Sequence, residues 1–317
     1  MKTILITGAC GYLGSRLVRY LSRNYKIIAL GTKYPNHRKE WLSLINEFIV
    51  GDIRDEKTIQ SLLKKNVNFL IHLVSLNQRD SNTIPNYVSS INVSPTWNLL
   101  ENFTKNGLEK FIYFSTIHVY GNELTGKIVE SDKSFPYNFY SLSHYLSENI
   151  LNYYNDTTKT DCINVRLSNS YGSPEFMENN CWWLVINDIC QSAYNNNQIK
   201  LLSDGSPLRD FIHLNDVCSA VDILLKKERK DTVNNLVNIS SGQTFTILEL
   251  AKIVKNTFYK KYNKDIEIST IENNGKINEG KMIICNDKLK KLGFNLDFKL
   301  EDGILDLFNY LENINES

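Results

Sequence analysis

The stretch GACGYLG, Gly8 to Gly14, directly follows the β-branched run TILIT and directly precedes SRLVRYL. Glycines at G-x-x-G-x-x-G spacing between a short apolar strand and an amphipathic helix demand a tight strand-to-helix turn. Such a turn carries backbone N–H groups to the positive end of a helix, where a pyrophosphate binds. Gly8, Gly11 and Gly14, with Tyr12 and Leu13, are therefore expected to cradle a dinucleotide. A purely structural turn is the bland alternative.

Downstream, apolar runs alternate with longer helical patterns: KIIAL, DEKTIQSLLKK, NFLIHL, NVSPTWNLLENFTKN, KFIYFST and the stretch around YSLSHYLSEN. This alternation predicts an α/β chain with a Rossmann-type doubly wound parallel sheet. CINVRL continues it at 162–167, and DVCSAVDILLKK with LVNIS adds one more helix and strand. Residues 1–171, joined by 206–241, are read as the dinucleotide-binding domain. Residues 172–205 and 242–317 are read as a smaller, interleaved C-terminal substrate lobe.

Composition narrows the partners. Lys+Arg 36 against Asp+Glu 35 leaves a net charge of +1, and the charges are scattered, so neither a nucleic-acid stripe nor an acidic tail is present. Six dispersed cysteines without a CxxC pair, and five histidines without HExxH, argue against a disulfide framework and against a bound metal. A reducing, cytoplasmic setting is expected. No run approaches the ~20 apolar residues of a membrane span, and the N-terminus lacks the apolar length of a secretory signal.

In open α/β sheets, ligands lie outside the carboxyl ends of the strands. The second strand ends at Gly31-Thr32-Lys33, where an NAD site would present an acidic residue to the adenosine ribose. Thr32 and Lys33 stand there instead, with His37, Arg38 and Lys39 behind and Arg16 on the first helix. NADP is therefore the expected cofactor, with NAD as the alternative and a solvated basic loop as the bland reading. GDIRD sets Asp52 and Ile53 against an adenine, and HLVS sets Leu73, Val74 and Ser75 beneath the cofactor. FIYFSTIHVYG delivers Ser115, Thr116 and His118 to the same edge. In YSLSHYLSEN, Tyr140 and His144 lie one helical turn apart on one face.

These fragments, followed by RLSNSYG and LLSDGSPLRDFIHLNDV, occur in the order of the extended short-chain dehydrogenase/reductases. Over nearly its whole length the chain resembles their nucleotide-sugar epimerase/dehydratase family. The resemblance implies a nucleotide-sugar substrate and oxidoreductase chemistry. It assigns proton transfer to Tyr140, with Thr116, Ser115 and His118 beside it, and places Asn92 among the cofactor contacts. It implies that Arg209 reaches the diphosphate of the substrate and that Asn169 and Asn180 contact it. An arginine paired with Asp210 or Asp216 is the bland reading of Arg209. The family also implies a homodimer, in which the helix at 94–106 and the Tyr140 helix form a four-helix bundle with their mates.

The chain departs from the family at one catalytic position. The family pattern is Y-x-x-x-K, and His144 occupies the place of the lysine. That lysine holds the ribose hydroxyls and lowers the tyrosine pKa from its free value of ~10. A unit charge ~5 Å away at an effective dielectric of ~20 is worth about 3 kcal/mol, or roughly two pKa units. Histidine supplies this only when protonated. The readings are an active enzyme with histidine replacing lysine, a catalytically inactive cofactor-binding module, and a reductase of some unrelated ketone. Ile117 and His118 stand where 4,6-dehydratases of the family place an Asp-Glu pair, which disfavours dehydration. Keto-sugar reduction or C4 oxidation is the expected reaction, with 4-epimerisation as the alternative.

Overall fold

In the computed structural model of the protein, which describes residues 1–231, 233–271 and 281–315, the alternating runs form one parallel sheet of seven strands. The first five are β1 (Thr3–Thr7), β2 (Lys26–Gly31), β3 (Glu47–Val50), β4 (Phe69–His72) and β5 (Lys110–Thr116). Across the sheet the order is Leu236–Ile239, Asp161–Leu167, β5, β4, β1, β2, β3. The order reverses between β1 and β4, which opens a crevice above their carboxyl ends. Ile4, Leu5, Ile6, Leu70 and Ile71 are fully buried, as strands covered on both faces require.

Period-two alternation divides β5 between two cores. Ile112 and Phe114 face the first helix, α1 (Tyr12–Leu21), and the helix Leu214–Lys226. Phe111 and Tyr113 face Leu99, Phe103 and Leu151 on the helices Ser94–Lys105 and Phe139–Thr157. A third core joins the helices Val185–Asn196, Ile247–Tyr262 and Leu300–Asn315 into the second lobe.

The lobes interleave more deeply than sequence boundaries at 171/172, 205/206 and 241/242 imply. Leu208–His213 leaves the large sheet and joins Asn169–Tyr171 and Thr244–Thr246 in a three-stranded sheet. Leu289, Leu292 and Phe294 pack into the first core, on the dinucleotide side. Local patterning cannot assign such segments, because either sheet would bury their apolar residues equally well. The six cysteines are free. Among the described residues, no helix is long and apolar enough to cross a membrane and no cluster of side chains could hold a metal ion.

Candidate active site

The glycine turn fits a dinucleotide. Gly8 has φ +71°, and a Cβ at Gly14 would stand 2.2 Å from the Gly8 carbonyl oxygen, so backbone packs on backbone here. α1 starts at Gly11 with no side chain capping its N–H groups, which leaves its positive end available to phosphate. A Cβ at Gly8 would come within 3.4 Å of Leu73, so the turn and the end of β4 share the crevice. Tyr12 bridges the lobes instead of standing free: its hydroxyl donates to the Gly172 carbonyl at 2.6 Å.

At the neighbouring strand ends, Ile53 is buried and the Asp52 carboxylate is held by Arg54, with Nη2 2.5 Å from Oδ2. Thr32 and Lys33 are exposed. Lys33 has no ion pair among the described residues, whereas Arg16, His37 and Arg38 are all engaged by the segment that follows Gly172. Asn92 serves the scaffold: it accepts from Leu76 N–H at 2.7 Å and donates to Ser143 Oγ at 2.9 Å. It thereby ties the loop after β4 to the helix Phe139–Thr157.

The register of β5 decides what reaches the reacting centre. Its pairing with β4 ends at His72 and Tyr113, while its pairing with Asp161–Leu167 runs on to Thr116. Thr116, paired with Leu167 at the end of the sheet, thereby comes close enough to the Tyr140 hydroxyl to lower its pKa. The helix Phe139–Thr157 enters at a fixed angle, because Asn138 and Ser141 close a capping box that brackets Tyr140. Tyr140, His144 and Glu148 follow at helical spacing. Opposite them, Tyr113 and Ser115 follow at strand spacing, and the two periods match. The Tyr113 hydroxyl lies 2.8 Å from His144 Nδ1, and Ser115 Oγ donates to Glu148 Oε1 at 2.5 Å. Ser115 thus points away from Tyr140 into a buried ion pair, where Arg166 Nη2 stands 2.6 Å from Glu148 Oε2.

His144 is 2 % exposed, and burial, reinforced by His118, pushes its pKa down to about 3. It is neutral at physiological pH. The charge that a lysine would bring is absent, and burial holds the Tyr140 pKa above its ordinary value, with the Thr116 hydrogen bond opposing. The His144 ring lies edge-on to Tyr140, with centroids 4.7 Å apart. Among the described residues its Nε2 has no hydrogen-bond partner. His72 is a second buried neutral imidazole, its pKa also pushed to about 3 and its Nδ1 2.7 Å from Thr7 Oγ1.

A cleft of about 460 Å³ is lined by Gln78, His118, Tyr137, Asn169, Trp183 and Arg209; Tyr140 does not line it, but its ring lies 6.1 Å from that of His118. His118 lies 3.2 Å from the Tyr137 hydroxyl through Nδ1, and burial lowers its pKa to about 4. Among the described residues no carboxylate pairs with Arg209. Asp210 turns inward to Ser168 and Ser241, and Asp216 accepts from the N–H groups of Asp297 and Phe298. Asn169 donates to the Asp210 carbonyl from the cleft wall. Asn180 is exposed and does not line the cleft, whereas its neighbour Asn179 is buried with Nδ2 donating to the Cys10 carbonyl at 2.9 Å. Sequence reasoning missed Tyr113 and His72. For Tyr113 a signal existed: it precedes Ser115 by two on a strand that faces a helix carrying His144 and Glu148 four apart.

Comparisons with known proteins bear on the family and the fold. A sequence profile of the "NAD dependent epimerase/dehydratase family" matches residues 4–240. A Methanocaldococcus jannaschii protein provisionally named a UDP-glucose 4-epimerase is 28% identical over 99% of this chain and 100% of its own length. The Haloferax volcanii low-salt glycan biosynthesis protein Agl12 is 26% identical over 95% of this chain and 96% of its own. The fold is shared with UDP-glucose 4-epimerase of Thermotoga maritima, solved with UDP-glucose, at TM-score 0.82 and 23% identity over 99% of each chain. It is shared too with UDP-glucuronic acid 4-epimerase of Bacillus cereus, solved with UDP-glucuronic acid and NAD, at TM-score 0.80 and 20% identity over 98% of this chain and 99% of that one.

Proposed function

The chain belongs to the NAD dependent epimerase/dehydratase family, and on that premise we propose that it oxidises or reduces C4 of a nucleotide-activated sugar. The reading is carried by one juxtaposition: the Tyr140 ring lies 6.1 Å from that of His118, which lines a cleft where, among the described residues, Arg209 has no carboxylate partner. A planar guanidinium free of internal acids suits a diphosphate. When bound, the nicotinamide cofactor supplies the hydride donor or acceptor. Gly8, Gly11, Leu13, Gly14, Ile53, Leu73, Val74 and Ser75 would hold it, with Asp52 at the rim. Tyr140 takes the proton of the sugar hydroxyl during oxidation and returns it during reduction, and Thr116 orients that hydroxyl. Arg209 and Asn169 hold the nucleotide-sugar. His144 orients the cofactor ribose by hydrogen bonding, without a charge.

Ile117 is buried and His118 is neutral, so neither replaces the acid-base pair that elimination of water requires. The test is to load the protein with cofactor, add UDP- and dTDP-sugars singly, and follow the reduced-nicotinamide absorbance. Hydride exchange that disappears in Tyr140→Phe supports the proposal; no exchange with any nucleotide-sugar overturns it. The second reading, 4-epimerisation, is favoured by the names of the relatives and structural neighbours. It is distinguished by a C4 epimer that accumulates without net cofactor turnover.

For the cofactor, we propose that the site takes NADP as well as NAD. No acid stands at the end of β2, and Lys33 is free to meet a 2′-phosphate. Lys33→Ala should lower NADPH affinity more than NADH affinity; equal losses count against this.

We also propose a homodimer. Val93, Trp97, Leu146, Ile150 and Tyr153 line an open apolar groove of about 590 Å³ on the helices Ser94–Lys105 and Phe139–Thr157. Trp97 is 56% exposed and Tyr153 63% exposed, which suits a second copy packed helix on helix. Light scattering should give a dimer that Leu146→Glu splits. Six free cysteines support a reducing, cytoplasmic home.

A further inference from the structure

The segment Ser173–Asn179 crosses from the second lobe onto the loops that follow β1 and β2, and it engages the basic groups there one after another. Arg16 Nη2 donates to Ser173 Oγ at 2.8 Å and to the Ser173 carbonyl. Arg19 Nε donates to Glu175 Oε1 at 2.6 Å. Phe176, 5 % exposed, anchors the segment: its ring lies edge-on to Trp41 at 5.0 Å, and the Arg38 guanidinium stands 3.3 Å from its centroid. Arg38 then pairs with Glu178, and His37 Nε2 lies 2.9 Å from Glu178 Oε1. Asn179 completes the crossing with its hydrogen bond to the Cys10 carbonyl.

These contacts surround the end of β2. Cys10 Sγ lies 3.2 Å from where a Cβ on Gly31 would stand, and the Arg38 charge opposes the burial that raises the Cys10 thiol pKa. Arg38 is thus held close to the position at which an adenosine ribose is read, with its side chain 14% exposed, while the Glu178 side chain is 59% exposed. Gly31-Thr32-Lys33 brings no carboxylate to that position, and Glu178 brings one from the other lobe.

We propose that Glu178 is a specificity-determining residue for the cofactor: it occupies the Arg38 guanidinium and holds the affinity for NADP close to that for NAD. The proposal rests on the reading that the adenosine ribose lies at the end of β2. A 2′-phosphate accepts two parallel hydrogen bonds from the planar arginine fork and carries more than one negative charge. To reach Arg38 it must displace Glu178 and approach that carboxylate. A 2′-hydroxyl meets no such opposition. Removing the Glu178 charge therefore leaves NAD binding as it was and releases Arg38 to the phosphate.

The test is titration of NADH and NADPH into the full chain by intrinsic-fluorescence quenching, in wild type, Glu178→Gln, Glu178→Asp and Glu178→Gln/Arg38→Gln. In Glu178→Gln, NADPH should bind about two- to fivefold tighter and NADH within about 1.5-fold of wild type, as expected for one partly exposed charge pair. The gain should shrink as salt is raised and vanish in the double variant. Glu178→Asp should keep the wild-type ratio. An unchanged ratio in Glu178→Gln, or a gain that survives loss of Arg38, overturns this proposal alone. Failure of wild type to bind either dinucleotide overturns the cofactor reading and this proposal with it.

Discussion

The Tyr113 hydroxyl stands 2.8 Å from Nδ1 of His144, inside a shell where both side chains are at most 2 % exposed. A neutral imidazole has two different nitrogens, and the hydrogen bond on one sets the direction and proton state of the other. Tyr113 thus partners Nδ1 of His144, while Nε2 is buried without a partner among the described residues.

Tyr113→Phe removes that bond and leaves a buried nitrogen unsatisfied. The expected cost is about 1–3 kcal/mol of stability. Cofactor affinity should fall about five- to tenfold, with the loss seen in cofactor Kd more than in sugar KM. Calorimetric titration checks it. Unchanged cofactor affinity in a folded variant would show that the ring needs no orienting partner.

Among the described residues no positive charge acts on Tyr140, so the rate of sugar oxidation should keep rising well into the alkaline range. His144→Lys introduces the charge and should shift that rise downward by roughly two pH units. His144→Gln, which removes no charge, should hold turnover within about tenfold of wild type, the size of one lost hydrogen bond. A pH–rate profile that His144→Lys leaves in place would refute the electrostatic account.

Acid should unfold this protein early. His72 and His144 have folded pKa values of about 3, against ~6.5 when unfolded, so between these limits the unfolded chain binds the extra protons. Stability is full above pH ~6.5 and falls as pH drops toward 3, by up to about 1.4 kcal/mol per pH unit per histidine. His118 and His213, lowered to about 4, act in the same direction. Asp216, raised to about 6, opposes them, because its folded form binds the proton first. Denaturant midpoints at pH 7 and 5 should show the loss, and His72→Asn should flatten it.

Ser115 and Thr116 are adjacent in sequence and opposite in role. Thr116→Ala should lower turnover by about ten- to a hundredfold by removing the hydrogen bond to Tyr140. Ser115→Ala should leave turnover within about threefold while costing about 1–3 kcal/mol of stability, because Glu148 loses a buried donor. Glu148→Gln should cost more, about 3–5 kcal/mol, since Arg166 is left charged and buried. A catalytic loss in Ser115→Ala at unchanged stability would reverse the assignment.

Strand-to-helix alternation and the glycine turn were legible in the sequence, because each rests on local spacing: period two for strands, 3.6 for helices, glycines where backbones must touch; Tyr140 and Arg209 were candidates through the family resemblance. The substitution of His144 was legible too, but its charge was not. Protonation depends on burial, and burial came from β4, β5 and the helix Phe139–Thr157 closing around one ring. The same is true of Ser115 and Asn92, whose polar groups turned to Glu148 and Ser143 once strand and helix registers were set. The basic cluster after β2 read as free charge in one dimension, and only the crossing of Ser173–Asn179 gave Arg38 and His37 their partner in Glu178. Spacing along a chain fixes which face a residue occupies; what waits on that face is decided by segments that lie from about thirty to well over a hundred positions away.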